Sequence, residues 1–156
     1  TNYICLMPCN LFGPNDNYDL KTSHFFPALI KKIYLKSKDK KNKIIKLWGT
    51  GRPLREVLYV DEVANACEFF LRKKTKVSLI NIGSLTEMTI KNYANFIKNK
   101  IDPTIKIKFD NNLKLDGVKR KKLDVSIASK YGWHSKMNFS EAIDKTIQAF
   151  KISKKH

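Results

Sequence analysis

The 156-residue sequence predicts an α/β fold with mixed strand pairing, and three observations carry that reading. Short apolar runs bounded by Gly, Pro, Asn and Asp alternate along the chain with segments whose apolar residues recur at helical spacing. Helix-type segments open on residues suited to capping, such as Thr22 or Ser23 and Asp61. Ile105, Ile107 and Phe109 alternate with lysines, the pattern of a strand with one face in water.

Residues 3–12, YICLMPCNLF, read as a buried strand that leads into a turn at Gly13-Pro14. Pro8 has no N–H for a ladder, so the strand is expected to end near Met7. Pro8 to Leu11 would then lie at the end of the sheet, where α/β folds bind ligands. After a polar loop from Asn15 to Lys21, a helix opens at Ser23-His24, with Thr22 or Ser23 as its cap and Pro27 in or just past its first turn. Phe25, Leu29 and Lys32/Ile33 share one side of it. Lys36 to Lys43 is a charged surface loop.

Ile44 to Trp48 forms the next strand and ends in the tight turn Gly49-Thr50-Gly51. That turn is not a dinucleotide fingerprint, because it lacks the third glycine and a helix directly after it. A strand over Val57 to Val60 precedes a helix capped by Asp61 and running to about Leu71. Val63, Cys67, Phe70 and Leu71 mark its buried face, which makes Cys67 a core thiol. Val77 to Ile82 is a strand ending at Gly83, and Thr89 begins a helix with Ile90, Tyr93, Ala94 and Ile97 inward. Beyond the strand at Ile105–Phe109, Asn111 to Lys122 is a charged loop. A short helix near Ser126 to Tyr131 stops at Gly132, and a last one from Ser140 to about Ile152 turns Ile143, Ile147 and Phe150 inward.

A chain of this length holds one domain with a sizeable core, or part of a larger one. It enters an apolar run almost at once from Thr1, which reads as a chain cut inside a domain with sheet strands upstream. No apolar run approaches the ~20 residues of a membrane span, so the expectation is a soluble protein. Cys5 and Cys9 lie four apart on one strand, ~13 Å between Cα atoms and too far for a disulfide. With Cys67 they make an odd set without framework spacing, which points to a reducing, cytoplasmic setting. No Cys/His cluster has metal-ligand spacing.

The net charge of +17 invites a nucleic-acid reading. Nearly all of it is lysine, spread along helix faces and the tail KISKKH, and no helix-turn-helix, zinc finger or aromatic RNP pattern occurs. Diffuse lysine of this kind is a solvated face with weak affinity for polyanions; a phosphate-bearing nucleotide ligand fits the charge equally well.

Polar groups cluster at turns in three segments: Pro8–His24, Trp48–Arg55 and Asp116–Lys121. Three of the four arginines (Arg52, Arg55, Arg120) fall in the last two, and the guanidinium fork suits bidentate phosphate contacts. His24, at a helix start with an ordinary pKa of ~6.5, reads either as a proton-transfer group or as a histidine that only caps and packs. Trp48 can stack on a base or fill a core. No Ser-His-Asp set, paired-carboxylate motif or P-loop is present.

NLFGPNDNYDLKTSHFFPAL, LWGTGRPLREVLYVDEVANA, INIGS and DGVKRKKLDVS with YGW together resemble the GDP-L-fucose synthase family of extended short-chain dehydrogenases/reductases. The resemblance covers nearly the whole chain but only the C-terminal half or so of the family's length. It implies that residues 1–156 are the last strands of a Rossmann-like sheet plus a smaller α/β substrate-binding domain, without the N-terminal NADP-binding half. It implies NADPH-dependent 3,5-epimerisation and 4-reduction of GDP-4-keto-6-deoxy-D-mannose to GDP-L-fucose, in a cytoplasmic homodimer with no specific nucleic-acid or membrane partner.

Residue by residue, His24 matches the family's proton donor near the nicotinamide, and Pro8, Cys9, Asn10 and Leu11 match the segment lining the NADP(H) site. Lys32, Trp48, Arg55, Asp116 and Lys121 match positions that hold the GDP-sugar. Lys32 stands where an arginine is usual, which keeps the charge and loses the fork, and Cys9 replaces a usual threonine. The glycine-rich turn, the Tyr-x-x-x-Lys pair and the epimerising cysteine of the family belong upstream, so this chain alone is expected to be inactive. Two other readings stand beside this one: a different nucleotide-sugar 4-epimerase or dehydratase, and a basic polyanion-binding module.

Overall fold

Strands and helices alternate as expected in the computed structural model, which describes residues 3–153; Thr1, Asn2 and the tail residues Lys154, Lys155 and His156 lie outside them. The order is β1 (Cys5–Pro8), β2 (Asn10–Phe12), α1 (Phe25–Lys38), β3 (Ile44–Leu47), β4 (Leu54–Tyr59), α2 (Val60–Leu71), β5 (Leu79–Ile82), β6 (Glu87–Thr89), α3 (Ile90–Ile101) and β7 (Lys106–Phe109). A short 3-10 turn, β8 (Arg120–Lys121), α4 (Ser126–Lys130) and α5 (Phe139–Ser153) complete it.

β4 is the hub. Its second half runs parallel to β2, with Asn10 opposite Val57 and Phe12 opposite Tyr59. Its first half pairs antiparallel with β6 on one side and parallel with the two-residue β8 on the other. β1 pairs in parallel with β5, and β3 with β7. Because side chains alternate along a strand, β4 divides the interior in two. Val57 and Tyr59 join a core built with Phe12, α1, α3 and α5, while Leu58 joins Ala66, Phe70, Ile80, Ile82, Ala128 and Trp133 on the other face.

Several local expectations are corrected. β1 continues through Pro8, because the N–H groups of Cys5 and Cys9 point to β5 (to Ser78 O at 2.7 Å and Ile82 O at 2.9 Å). The N–H that Pro8 lacks would point the other way, so no bond to β5 is lost. α1 is capped by neither Thr22 nor Ser23: His24 holds the N-cap position without a side-chain bond, and Phe26 rather than Phe25 is buried. α1 also runs on to Lys38, so only Asp39 to Lys43 loops, tied by Asp39 Oδ1 accepting the amides of Lys41 and Asn42 at 3.0 Å.

Asp61 is inside the first turn of α2 rather than its cap, where a carboxylate still favours the positive helix end. α2 buries Glu62, Ala66 and Phe70, a stripe at i, i+4 and i+8. Cys67 lies one residue round from that stripe and is exposed, as is Leu71 at 83%. Glu62 rather than an apolar residue holds the buried place because its carboxylate accepts the Lys136 amide at 2.5 Å. β6 and β8 escaped the sequence reading, being three and two residues long. Thr89 opens α3 as expected, and its hydroxyl caps the helix by accepting the Asn92 amide at 3.1 Å.

Two outcomes follow for stability. Glu56 on β4 is fully buried, and its carboxylate accepts the amides of Leu85 at 2.9 Å and Leu123 at 3.0 Å. Glu56→Ala orphans both amides and should cost about 3 kcal/mol in urea denaturation, with faster hydrogen exchange at Leu85 and Leu123. Asp102 is held down at about 2 by the Thr104 hydroxyl and by Lys43 Nζ at 2.9 Å. A carboxyl depressed on folding contributes stability that is present above its unfolded value of ~3.9 and lost as pH falls through the folded one. Urea midpoints should therefore drop between about pH 4 and pH 2, and Asp102→Asn should flatten that drop.

Candidate active site

The polypeptide crosses from β1 to β2 at Cys9 and then turns at Gly13-Pro14 toward α1. Around this crossing lies a cavity of about 500 Å³. Its walls are Pro8 to Asp16, the first residues of α1 with His24 before them, Val60 at the start of α2, and Lys121 from β8. Ends of parallel strands and N-termini of two helices thus meet at one place, which favours anionic groups. Gly13 makes the turn possible: a Cβ there would come within 2.6 Å of Val60 Cγ1.

The loop before His24 is held by its own side chains. Asp19 Oδ1 accepts the amides of Lys21 at 2.8 Å and Thr22 at 3.1 Å, and the Lys21 amide in particular keeps the Asp19 carboxyl below its usual range. Asn17 Nδ2 donates to Thr22 Oγ1 at 2.9 Å, and the Tyr18 ring packs 4.4 Å from Phe150. Asn10 is anchored from the other side, its Nδ2 donating to the Glu56 carbonyl at 3.0 Å. Burial pushes the Cys9 thiol up to about 12, so it is a neutral wall group and no nucleophile.

The second and third polar segments meet each other. The Thr50 amide and hydroxyl both donate to the Asp116 carboxylate at 2.6 Å and hold it below the usual carboxylate range, the hydroxyl first. Gly49 has φ +73°, and a Cβ there would collide with Asp116 Oδ1, so the turn needs glycine. Arg55 Nη1 donates to the carbonyls of Leu54 at 2.8 Å and Val118 at 2.7 Å. Arg120 forks onto Glu87 at 2.8–3.1 Å, which binds β8 to β6 across β4. Beside this clasp lies a second cavity of about 550 Å³, lined by Arg52, Pro53, Leu113, Asp116, Gly117 and Lys119. Trp48 is 72% exposed, which removes the core reading, and Lys32 Nζ sits 4.8 Å from its ring centroid.

Six of the residues singled out in the sequence therefore share one cavity: Pro8, Cys9, Asn10, Leu11, His24 and Lys121. Lys32 and Trp48 form a cation–π pair elsewhere. Arg55 and Asp116 spend hydrogen-bonding groups on the 116–118 loop itself. Sequence reasoning missed Asp16, Val60 and Glu56. For Glu56 a signal existed, since an acid directly before the apolar strand residues Val57 and Leu58 is out of pattern. Among the described residues no group of three or more His, Cys, Asp or Glu is placed to hold a metal, and no helix is long and apolar enough to cross a membrane.

A cleft at the carboxyl ends of the parallel strands β1 and β2 marks a Rossmann-like α/β fold. Residues 1–83 match the NAD dependent epimerase/dehydratase family, and the chain belongs to that family. It is 37% identical over 140 residues to GDP-L-fucose synthase 1 of Arabidopsis thaliana, covering 90% of this chain and 43% of that protein. To GDP-L-fucose synthase of Escherichia coli (strain K12) it is 32% identical over 158 residues, covering 96% and 49%. The crystal structure of a GDP-L-fucose synthetase from Naegleria fowleri superposes with a TM-score of 0.86 at 25% identity, over 97% of this chain and 46% of that one. The chain thus spans about half the length of the curated relatives it matches.

The clasp between the two loops is open to direct measurement. Thr50→Val removes one charge-assisted hydrogen bond, which should lower the urea midpoint and speed exchange of the residue-50 amide relative to the parent chain.

Proposed function

We propose that this chain is the substrate-binding portion, with the last sheet strands, of an NADPH-dependent epimerase-reductase that converts GDP-4-keto-6-deoxy-D-mannose to GDP-L-fucose. The observation supporting it most is the cavity that joins Pro8–Leu11, His24 and Lys121 in a chain 37% identical to a GDP-L-fucose synthase. On this reading the glycine-rich NADP-binding half lies upstream, the enzyme works in the cytoplasm as a homodimer, and the chain alone neither binds NADPH tightly nor turns over.

The residues present suit one end of a nicotinamide cofactor: strand-end backbone from Pro8 to Leu11, a neutral Cys9 and a turn brought close by Gly13. That cofactor supplies hydride to C4 of the sugar when bound. The chain's own residues do the rest. Inverting two centres beside a ketone needs deprotonation to an enolate and reprotonation from the opposite face, and His24 is the acid for the second step. Lys121 faces the same cavity and stabilises negative charge on the substrate. Trp48 offers an exposed ring for the guanine, and Lys32 and Arg55 supply charge to the diphosphate. Arg55 keeps its remaining guanidinium N–H groups for this, since its carbonyl contacts use only Nη1.

Joining the N-terminal half of the Arabidopsis relative to this chain tests the reading. The joined protein should oxidise NADPH in the presence of GDP-4-keto-6-deoxy-D-mannose and release GDP-L-fucose. His24→Gln should lower epimerisation by about 10²–10⁴-fold. Full activity in His24→Gln would reduce His24 to a packing residue, and turnover of a different GDP-sugar or of none would remove the assignment.

A further inference from the structure

One strongly charged surface lies outside the cavities described above: the outer face of the ribbon formed by β3 and β7. The two strands run in parallel, with Ile44 opposite Lys106 and Lys46 opposite Lys108. Side chains alternate along each strand, and burial alternates with them. Ile45, Leu47, Ile107 and Phe109 pack into or against the core, while Ile44, Lys46, Lys106 and Lys108 are exposed on the other side. Trp48 follows Lys46 by two residues at the end of the row, with its ring in solvent. Lys32 Nζ, 4.8 Å from the centroid of that ring, adds a cation beside it.

Like charges placed directly opposite each other on a sheet repel, and nothing on this ribbon offsets them. Lys46, Lys106 and Lys108 make no ion pair among the described residues. The acids nearest to them in sequence are committed elsewhere. Asp39 pairs with Lys36 and Asp102 with Lys43, while Asp110 Oδ1 accepts the amides of Gly49 at 2.8 Å and Asn112 at 3.0 Å. Neighbouring strands lie ~4.8 Å apart and every second residue ~6.6 Å along, so the row from Ile44 to Trp48 spans ~13 Å. Three free ammonium groups therefore add their potential over a small area that ends in an aromatic platform.

We propose that the outer face of the β3–β7 ribbon binds single-stranded nucleic acid without sequence preference, the lysines following the phosphates and Trp48 stacking on a base. Cations along a backbone track together with an exposed ring are the chemistry such binding uses. An anionic lipid surface would call for apolar side chains inserted among the cations, and Ile44 is the one aliphatic residue in the row, at the end away from Trp48. The inference goes beyond the GDP-sugar reading, and its test needs no turnover.

The test measures fluorescence anisotropy of a labelled oligo-dT of about twelve nucleotides with the 156-residue chain across a salt series. Lys46→Gln with Lys108→Gln should weaken binding about fivefold or more and make the slope of log K against log salt shallower by about 1.4. Trp48→Ala should weaken it by about fivefold to a hundredfold, and Trp48→Phe should keep most of the affinity. The comparison pair, Lys74→Gln with Lys130→Gln, removes the same charge from exposed positions beside the other core and should change the affinity less than about twofold. Equal losses in the two lysine pairs would reduce the binding to the net charge of the whole molecule and overturn the proposal. Unchanged affinity in Trp48→Ala would overturn it too, as would binding of phosphatidylserine vesicles through Lys46 and Lys108 with no binding of the oligonucleotide.

Discussion

Everything in this chain is fastened to one buried carboxylate. Glu56 has no exposed surface and makes no ion pair among the described residues, and it is held by two backbone amides, those of Leu85 and Leu123. Burying a charge costs several kcal/mol unless polar partners replace its water, and here the amides do so. The contacts join three stretches far apart in sequence: β4, the turn after β5 and the segment after β8. Gly83 fits beside the carboxylate only because it has no Cβ, which would stand 2.5 Å from Glu56 Oε1. The backbone next to Glu56 is used as well: Asn10 Nδ2 donates to its carbonyl and Tyr93 Oη to that of Arg55 at 2.9 Å.

From that anchor the site follows. Once β4 is fixed, β2 lies parallel beside its second half and β8 beside its first, so Lys121 faces the strand end that leads to His24. The two-sided packing of β4 keeps both cores in register with the cavity between them, since a slip of one residue would exchange Leu58 with Val57 or Tyr59. The loop from Gly13 to His24 needs no core of its own, because Asn17, Asp19 and Thr22 satisfy each other.

The charge of the molecule acts on a different scale. Ion pairs such as Arg72–Glu68 and Lys145–Glu141 are solvated and contribute little to stability. With a formal charge of +17, the larger effect is a positive field that draws in phosphate-bearing ligands. Local specificity comes instead from where the few arginines and acids sit, as with Asp116 closing the Gly49-Thr50-Gly51 turn.

The sequence was enough to order the strands and helices, because alternating and helical periodicities are written in neighbouring residues: Ile105, Ile107 and Phe109, or Tyr93, Ala94 and Ile97. It was enough to show Pro8–His24 and Asp116–Lys121 as polar clusters at turns and element ends, which are local features; that Pro8–Leu11, His24 and Lys121 line one cavity came from the tertiary structure. It misjudged the buried face of α2, where Ala66 and Glu62 replaced Cys67 and Leu71, because a helix's rotation is set by what it packs against. It passed over β6 and β8, whose few residues become strands only when β4 lies beside them. It could not show that Asp16 shares a cavity with Lys121, that Arg55 bonds to the Val118 carbonyl, or that Glu56 is buried. Those relations join residues 29 to 105 positions apart, and no local pattern records a contact that exists only after the chain has closed on itself.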